Sequence, residues 1–322
     1  MNMSTQLLYN DFPTFLRKYF PYKVQKISLN AGFTCPNRDG TKGWGGCTYC
    51  NNQTFNPDYC RTEKSIAIQL EEGKCFFAHK YPEMKYLAYF QAYTNTYAEL
   101  EGLKRKYEEA LAVDGVVGLV IGTRPDCMPE SLLRYLEDLN KHTFLMVEYG
   151  IESTCDETLK RINRGHTYAD TVEAVCQTAA CGILTGGHII LGLPGETHDT
   201  MVAHAEILSD LPLATLKIHQ LQLIRGTRMA HEYDVTPAGF HLFNEVEEYI
   251  DLVILTNGNV CRAPGFSEIR SGYRVAVQGC TYDVLDAVSV SASEALLTLP
   301  KAYGFVRPLK YDEDEQEENA DV

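Results

Sequence analysis

Apolar residues follow two rhythms along this chain. Short apolar or alternating runs stand at VQKISLN (24–30), MKYLAYFQAY (84–93), GVVGLVIG (115–122), TFLMVEYG (143–150), GILTGGHIILGL (182–193) and LATLKIHQLQLI (213–224), and each reads as a strand. Longer stretches with apolar residues at helical spacing separate them. Ile66, Leu70 and Phe77 mark a helix over 65–80, and others are expected at 98–112, after Pro129, at 154–163 and at 168–181. Thr154 and Glu157 have the spacing of a capping box at the start of the 154–163 helix. Six strand–helix repeats of similar length predict a parallel sheet curled into a partial or complete barrel.

A chain of 322 residues with 45% hydrophobic content can bury one barrel-sized core or two smaller ones. Its start, MNMSTQLLYNDF, lacks a basic segment followed by an apolar core, and no run reaches the ~18 apolar residues of a membrane span. A cytoplasmic protein without a membrane partner is expected. Eleven cysteines in that setting argue for metal or redox use plus buried thiols, not for a disulfide framework. The net charge of −14 is concentrated at the end, where DEDEQEENADV carries seven acidic residues and leaves −7 for residues 1–311. Such a balance points away from DNA, and it permits RNA without indicating it.

Candidate chemistry falls where a barrel would place it, after the strands. The loop CPNRDGTKGWGGCTYC after the first strand offers Cys35, Cys47 and Cys50, and its Gly40, Gly43, Gly45 and Gly46 can take positive φ around a bound group. Three near thiolates suit three irons of a [4Fe-4S] cluster and leave one iron open. The same residues with Cys60 would instead make a four-cysteine zinc site. GTRPDC (122–127), EYGIES (148–153) and GLPGET (192–197) follow the third, fourth and fifth strands.

The three cysteines, with Tyr49 just before the last, resemble the signature of radical SAM enzymes. GTRPDC, EYGIES, RINRGHTYA, HIILGLPGET and LKIHQLQLIRGT resemble, in order and spacing, the radical SAM domain of the Elongator catalytic subunit, and more closely the bacterial YhcC-type proteins. The likeness runs from about residue 20 to 235 and implies a partial (βα)6 TIM-like barrel. It implies that Cys35, Cys47 and Cys50 hold a [4Fe-4S] cluster whose open iron takes the amine and carboxylate of S-adenosyl-L-methionine. Reductive cleavage to a 5′-deoxyadenosyl radical would follow, with a reductant such as flavodoxin or ferredoxin. Tyr49 would pack near the adenine. Glu152 and Arg164 match positions that hold ribose and carboxylate in coproporphyrinogen-oxidising relatives, and His188 matches a ribose position. Arg124 and Glu148 complete the expected cofactor contacts, with Gln91, Thr94 or Asn95 replacing an absent Gly-Gly-Glu segment. Gly122 stands where Elongator-like sequences carry Glu.

The resemblance implies a tRNA substrate, modified at a wobble-uridine side chain. A radical SAM oxidoreductase for a small, porphyrinogen-like molecule and a non-catalytic zinc-stabilised binding protein are the alternatives. Residues 1–255 are expected to form the barrel, 256–311 a C-terminal extension including a helix over 284–299, and 312–322 an acidic disordered tail. No counterpart of the Elongator acetyltransferase domain is expected in the ~90 residues that follow. Arg38, Lys42, Arg61, Arg225 and Arg228 are candidate cations at the barrel mouth.

Overall fold

In the computed structural model, the described residues are 10–51, 56–78, 83–91 and 93–236, with short strand segments between 253 and 308. The expected helix over 284–299 and the acidic tail lie almost wholly outside the described residues. A short helix, α1 (Phe12–Leu16), precedes the first strand, β1 (Val24–Leu29). There follow α2 (Ile66–Ala78), β2 (Lys85–Phe90), α3 (Leu100–Leu111), β3 (Val116–Thr123), α4 (Glu130–Asn140) and β4 (Phe144–Glu152). Two helices, α5 (Asp156–Arg161) and α6 (Tyr168–Ala180), lead to β5 (Leu184–Leu191), α7 (His198–Ser209), β6 (Thr215–Gln220) and α8 (Arg228–Val235).

The six strands form one parallel sheet in the order β1-β2-β3-β4-β5-β6, curled into a half-barrel. Strand parity decides what each face becomes. Ile27 and Leu29 of β1, Ala88 and Phe90 of β2, Leu119 and Ile121 of β3, and Leu145, Val147 and Tyr149 of β4 point outward into the core shared with the helices. Residues of opposite parity face the concave side: Lys26, Leu87, Tyr89, Val120, Met146 and Glu148, continued by His188, Lys217 and His219. One end of this concave face is apolar, because Phe12, Phe15, Leu16 and Phe20 pack on Leu87, Tyr89, Val120 and Met146. Helix α1 thus plugs one end of the half-barrel. Each of its three buried side chains stabilises the plug by about 1.5–3 kcal/mol relative to exposure. Asp11 caps this helix through its carboxylate on the Thr14 N–H at 2.7 Å.

All six predicted strands are present. The capping box is not at residue 154: α5 begins at Asp156 with no side-chain cap, and the Thr154 hydroxyl lies 2.7 Å from His204 Nδ1. A true capping box occurs instead at Thr167 and Asp170 on α6, where the second half of the motif is Asp and not Glu or Gln. Helices α1, α7 and α8 add to the elements read from periodicity. Among the described residues, no helix is long and apolar enough to cross a membrane.

Candidate active site

The loop that follows β1 turns back on itself through its own backbone. Arg38 and Asp39 N–H donate to Cys35 O at 2.8 and 3.2 Å, Gly46 N–H to Asn37 O at 2.8 Å, and Cys50 N–H to Cys47 O at 3.1 Å. Gly46 has φ +74°, and its carbonyl accepts from Asn163 Nδ2 at 2.8 Å and Arg228 Nη2 at 2.6 Å. A Cβ here would meet Arg38 Nε at 2.8 Å, so glycine both permits the turn and leaves room for the guanidinium. Gly40 and Gly45 also have positive φ, whereas Gly43 does not; a Cβ on Gly43 would meet Asn37 Oδ1 at 2.5 Å. The loop is tied to the rest of the barrel by Thr48 N–H on Ile162 O at 2.9 Å and Met229 N–H on Thr48 O at 3.0 Å.

Behind the loop stands a wall of arginines. Arg164 is buried, donating from Nη2 to Gly150 O at 2.7 Å and from Nη1 to Cys47 Sγ at 3.6 Å. Its Nη2 is 3.5 Å from Glu152 Oε1, so the two residues also form an ion pair with each other. Glu152 ends β4 with φ +69°, an uncommon conformation for a non-glycine residue that aims its carboxylate at this wall. Arg124 is spent on the protein itself. Its Nε and Nη2 form a fork on Asp126, both at 2.9 Å, and Nη1 donates to Arg164 O at 2.7 Å. Burial would raise the Asp126 carboxyl, but Arg124 and then Lys42, 2.5 Å away, bring it down to about 2.

The floor of the concave side is polar. Glu148 is buried, and its two oxygens accept from Lys26 Nζ at 2.9 Å and His188 Nε2 at 2.8 Å. Those two partners hold its carboxyl well below the usual range against the opposing effect of burial. Lys217 and His219 complete the floor from β6.

All ten sequence-derived site residues, Cys35, Cys47, Cys50, Tyr49, Gln91, Arg124, Glu148, Glu152, Arg164 and His188, border one cavity of about 570 Å³. Thr94 borders it too, while Asn95 is buried and donates from Nδ2 to Gly122 O at 2.8 Å. A side chain at Gly122 would come within 3.0 Å of Phe90 O, leaving little room for the Glu of Elongator-like sequences. Tyr49 also packs on the apolar cluster of Leu159, Ile162, Ile190, Leu193, Leu221 and Met229. Cys60 does not border the cavity. It is buried, donates its thiol to Ser28 O at 2.9 Å, and has its pKa pushed up to about 12 by burial. The four-cysteine zinc set is therefore not assembled. Sequence reading passed over Asn37, Asp126, Lys217 and His219. The last two carried a signal, since lysine and histidine two apart in a strand must share one face.

A model of the radical SAM superfamily matches residues 34–208, from just before Cys35 to the last turn of α7. This chain belongs to the radical SAM superfamily. The uncharacterized protein YtqA of Bacillus subtilis is 40% identical over 250 residues, spanning 78% of this chain and 77% of that one. Protein YhcC of Escherichia coli is 37% identical over 261 residues, 81% of both. A tRNA uridine(34) acetyltransferase of Methanocaldococcus infernus is 30% identical over 141 residues, 42% of this chain and 25% of that protein. The solved structure of Methanocaldococcus infernus Elp3 with an N-terminal deletion shares the fold, with a TM-score of 0.50 and 18% identity over 88% of this chain and 64% of that one.

Radical SAM enzymes generally use a [4Fe-4S] cluster and S-adenosylmethionine, and the donor set here fits such a group. Three thiols face one cavity, two of them buried. N–H donors already stand at Cys47, from Arg164 and from Asn37 Nδ2 at 3.8 Å, as a thiolate ligand requires. Arg164 Nε is buried without a hydrogen-bond partner. Among the described residues, no three His, Cys, Asp or Glu side chains stand close enough to share one metal ion. A cluster that gives each thiolate its own iron does not ask that of them.

Proposed function

We propose that this radical SAM enzyme holds a [4Fe-4S] cluster through Cys35, Cys47 and Cys50 and modifies the side chain of a tRNA wobble uridine. When bound, the cluster with S-adenosylmethionine supplies reductive cleavage of the sulfonium to a 5′-deoxyadenosyl radical. The protein's share is to place and shield that chemistry. Arg164 donates to the Cys47 sulfur and offers its free Nε toward a carboxylate, Glu152 accepts from ribose hydroxyls, and Tyr49 packs beside the adenine. His188, fixed by Glu148, keeps its other ring nitrogen for a ribose contact. Gln91 serves the methionine amine. Arg124 acts through others, bracing Arg164 by its carbonyl.

The observation that carries the reading is the convergence of all these side chains on one cavity with the three thiols. Likeness to a tRNA uridine(34) acetyltransferase supports RNA as the substrate class. An unpaired anticodon base can be extruded into such a cavity for a few kcal/mol or less. The test is anaerobic incubation of reconstituted protein with S-adenosylmethionine, dithionite and bulk tRNA, followed by nucleoside mass spectrometry. Consumption of one uridine derivative, matched by 5′-deoxyadenosine, is the expected result. Cleavage of S-adenosylmethionine that tRNA leaves unchanged would turn the assignment to the small-molecule oxidoreductase.

A further inference from the structure

The charges on the cavity floor do not cancel. Lys26 of β1, Tyr89 of β2, Glu148 of β4, His188 of β5, and Lys217 and His219 of β6 meet on the concave face. Glu148, the acid among them, is spent on Lys26 and His188 at 2.9 and 2.8 Å. Glu152, the next carboxylate up the wall, is paired with Arg164. Lys217 is left over. Its ammonium borders the cavity, and among the described residues no carboxylate stands within ion-pair distance of it. Its close aromatic neighbour is the Tyr89 ring, 5.9 Å from Nζ.

The electrostatics agree with that geometry. Burial first, then repulsion from Lys26, brings Lys217 down to about 8, although Glu148 and Glu152 pull it up. Burial and the same Lys217 charge hold His219 well below its ordinary value, hence neutral, with a ring N–H to donate. Lys217 is half-buried on the cavity floor, and a partly desolvated ammonium without a carboxylate is costly unless an anion arrives with the ligand. At the end plugged by α1 the Phe12 ring lies 4.2 Å from Lys26 Nζ. The cavity that Lys217 borders is the one that Cys35, Cys47 and Cys50 also line.

We propose that the cavity floor is a subsite for an anionic group of the substrate, a carboxylate or a phosphate, received by Lys217 with His219 as neighbouring donor. The inference rests on the reading of this cavity as a radical SAM substrate site. It is distinct from the methionine carboxylate, which that reading gives to Arg164. A substrate seated in this way puts its charged end on the floor and its reacting carbon nearer the cysteines.

The test uses reconstituted protein loaded with S-adenosylmethionine, without reductant. In equilibrium dialysis, 5-carboxymethyluridine is expected to bind about tenfold tighter than its uncharged amide, the margin of one charge-assisted contact. Lys217→Met should erase the preference and Lys217→Arg retain it, with circular dichroism confirming that both fold. Uridine 5′-monophosphate binding tighter than the acid would assign the subsite to a backbone phosphate, still an anion. In a second arm needing no RNA component, acetate and inorganic phosphate should slow acylation of Lys217, read by mass spectrometry. If neither anion slows labelling and acid and amide bind alike, the subsite is wrong. If no uridine binds while acetate still protects Lys217, the subsite stands and the RNA assignment falls.

Discussion

At the cysteine wall the guanidinium groups are fastened within the protein: Arg38 to Cys50 O, Arg124 to Asp126 and the Arg164 carbonyl, Arg164 to Gly150 O and Cys47. At the floor, Lys217 has no such anchor among the described residues. The wall is built like a cofactor site, whose occupant is the same in every turnover and merits fixed donors. The floor resembles a binding site, whose charge is completed by what enters and is lost again on release. Substitutions in the two regions should therefore move stability in opposite directions.

The largest effect belongs to the wall. Replacing Cys35, Cys47 or Cys50 by Ala should reduce iron after anaerobic reconstitution from about four per chain to near zero. Cys60→Ala should keep the full iron content, since its thiol is tied to Ser28 O. Tight zinc released by Cys60→Ala would reverse both the cluster assignment and the division drawn here.

Arg164→Met comes next. It strands Gly150 O, removes a donor from Cys47 and leaves the half-buried Glu152 without its cation, so the protein without its cluster should lose about 3 kcal/mol in urea unfolding. Arg164→Lys should recover little of this, because an ammonium cannot span the same acceptors as a fork. A loss below about 0.5 kcal/mol would mean the wall is no more than a surface.

At the floor the sign inverts. Lys217 has its folded pKa lowered to about 8, against about 10.4 when unfolded. Below pH 8 it is charged in both states, and the partly desolvated charge counts against folding. Between about pH 8 and 10.4 the unfolded chain binds more protons, so stability rises with pH and the penalty fades. Lys217→Met should accordingly be more stable than the wild type at pH 7, by at most on the order of 3 kcal/mol, with the gap closing toward pH 10. Urea titrations of both proteins at pH 7 and pH 10 read the difference. A variant less stable than wild type at pH 7 would show that Lys217 is a structural ion-pair partner after all.

Why one region was legible from sequence and the other was not has a physical basis. Cysteines two residues apart, glycine-rich turns and polar motifs at strand ends are local patterns, and they placed the cavity wall and all six strands. Lys26 and Lys217 lie in strands of mixed composition, beside Gln25 and Ser28 and beside Thr215, His219 and Gln220, so polarity alone does not single them out, and only the curl of the sheet brings β1 close to β4 and β6. Pattern also failed where a spacing had two uses. Thr154 and Glu157 have capping-box spacing, yet the Thr154 hydroxyl is taken by the buried His204, whose Nε2 lies 3.1 Å from Glu196 Oε2. Helix α7 escaped notice because that histidine interrupts the apolar face of Met201, Ala205 and Leu208. Helix α1 is five residues long, too short for a periodic signal.

The smallest expected effect tests what lies outside both regions. Of the mouth cations, Arg38, Lys42 and Arg228 serve the loop, through Cys50 O, Asp126 and Gly46 O. The Arg61 side chain donates to Asp58 O three residues back and, among the described residues, forms no ion pair, and Arg225 is exposed. Exposed arginines without a carboxylate contribute little to folding, so Arg61→Ser with Arg225→Ser should change stability by less than about 0.5 kcal/mol. If they meet phosphates flanking an extruded nucleotide, the pair should still weaken tRNA binding. Each lost phosphate contact lowers the slope of log affinity against log salt by about 0.7–0.9, so the double variant should flatten it by about 1.5. Filter binding over a range of salt reads that slope directly. An unchanged slope with unchanged affinity would place the RNA path elsewhere on the rim while leaving the wall and the floor as they are.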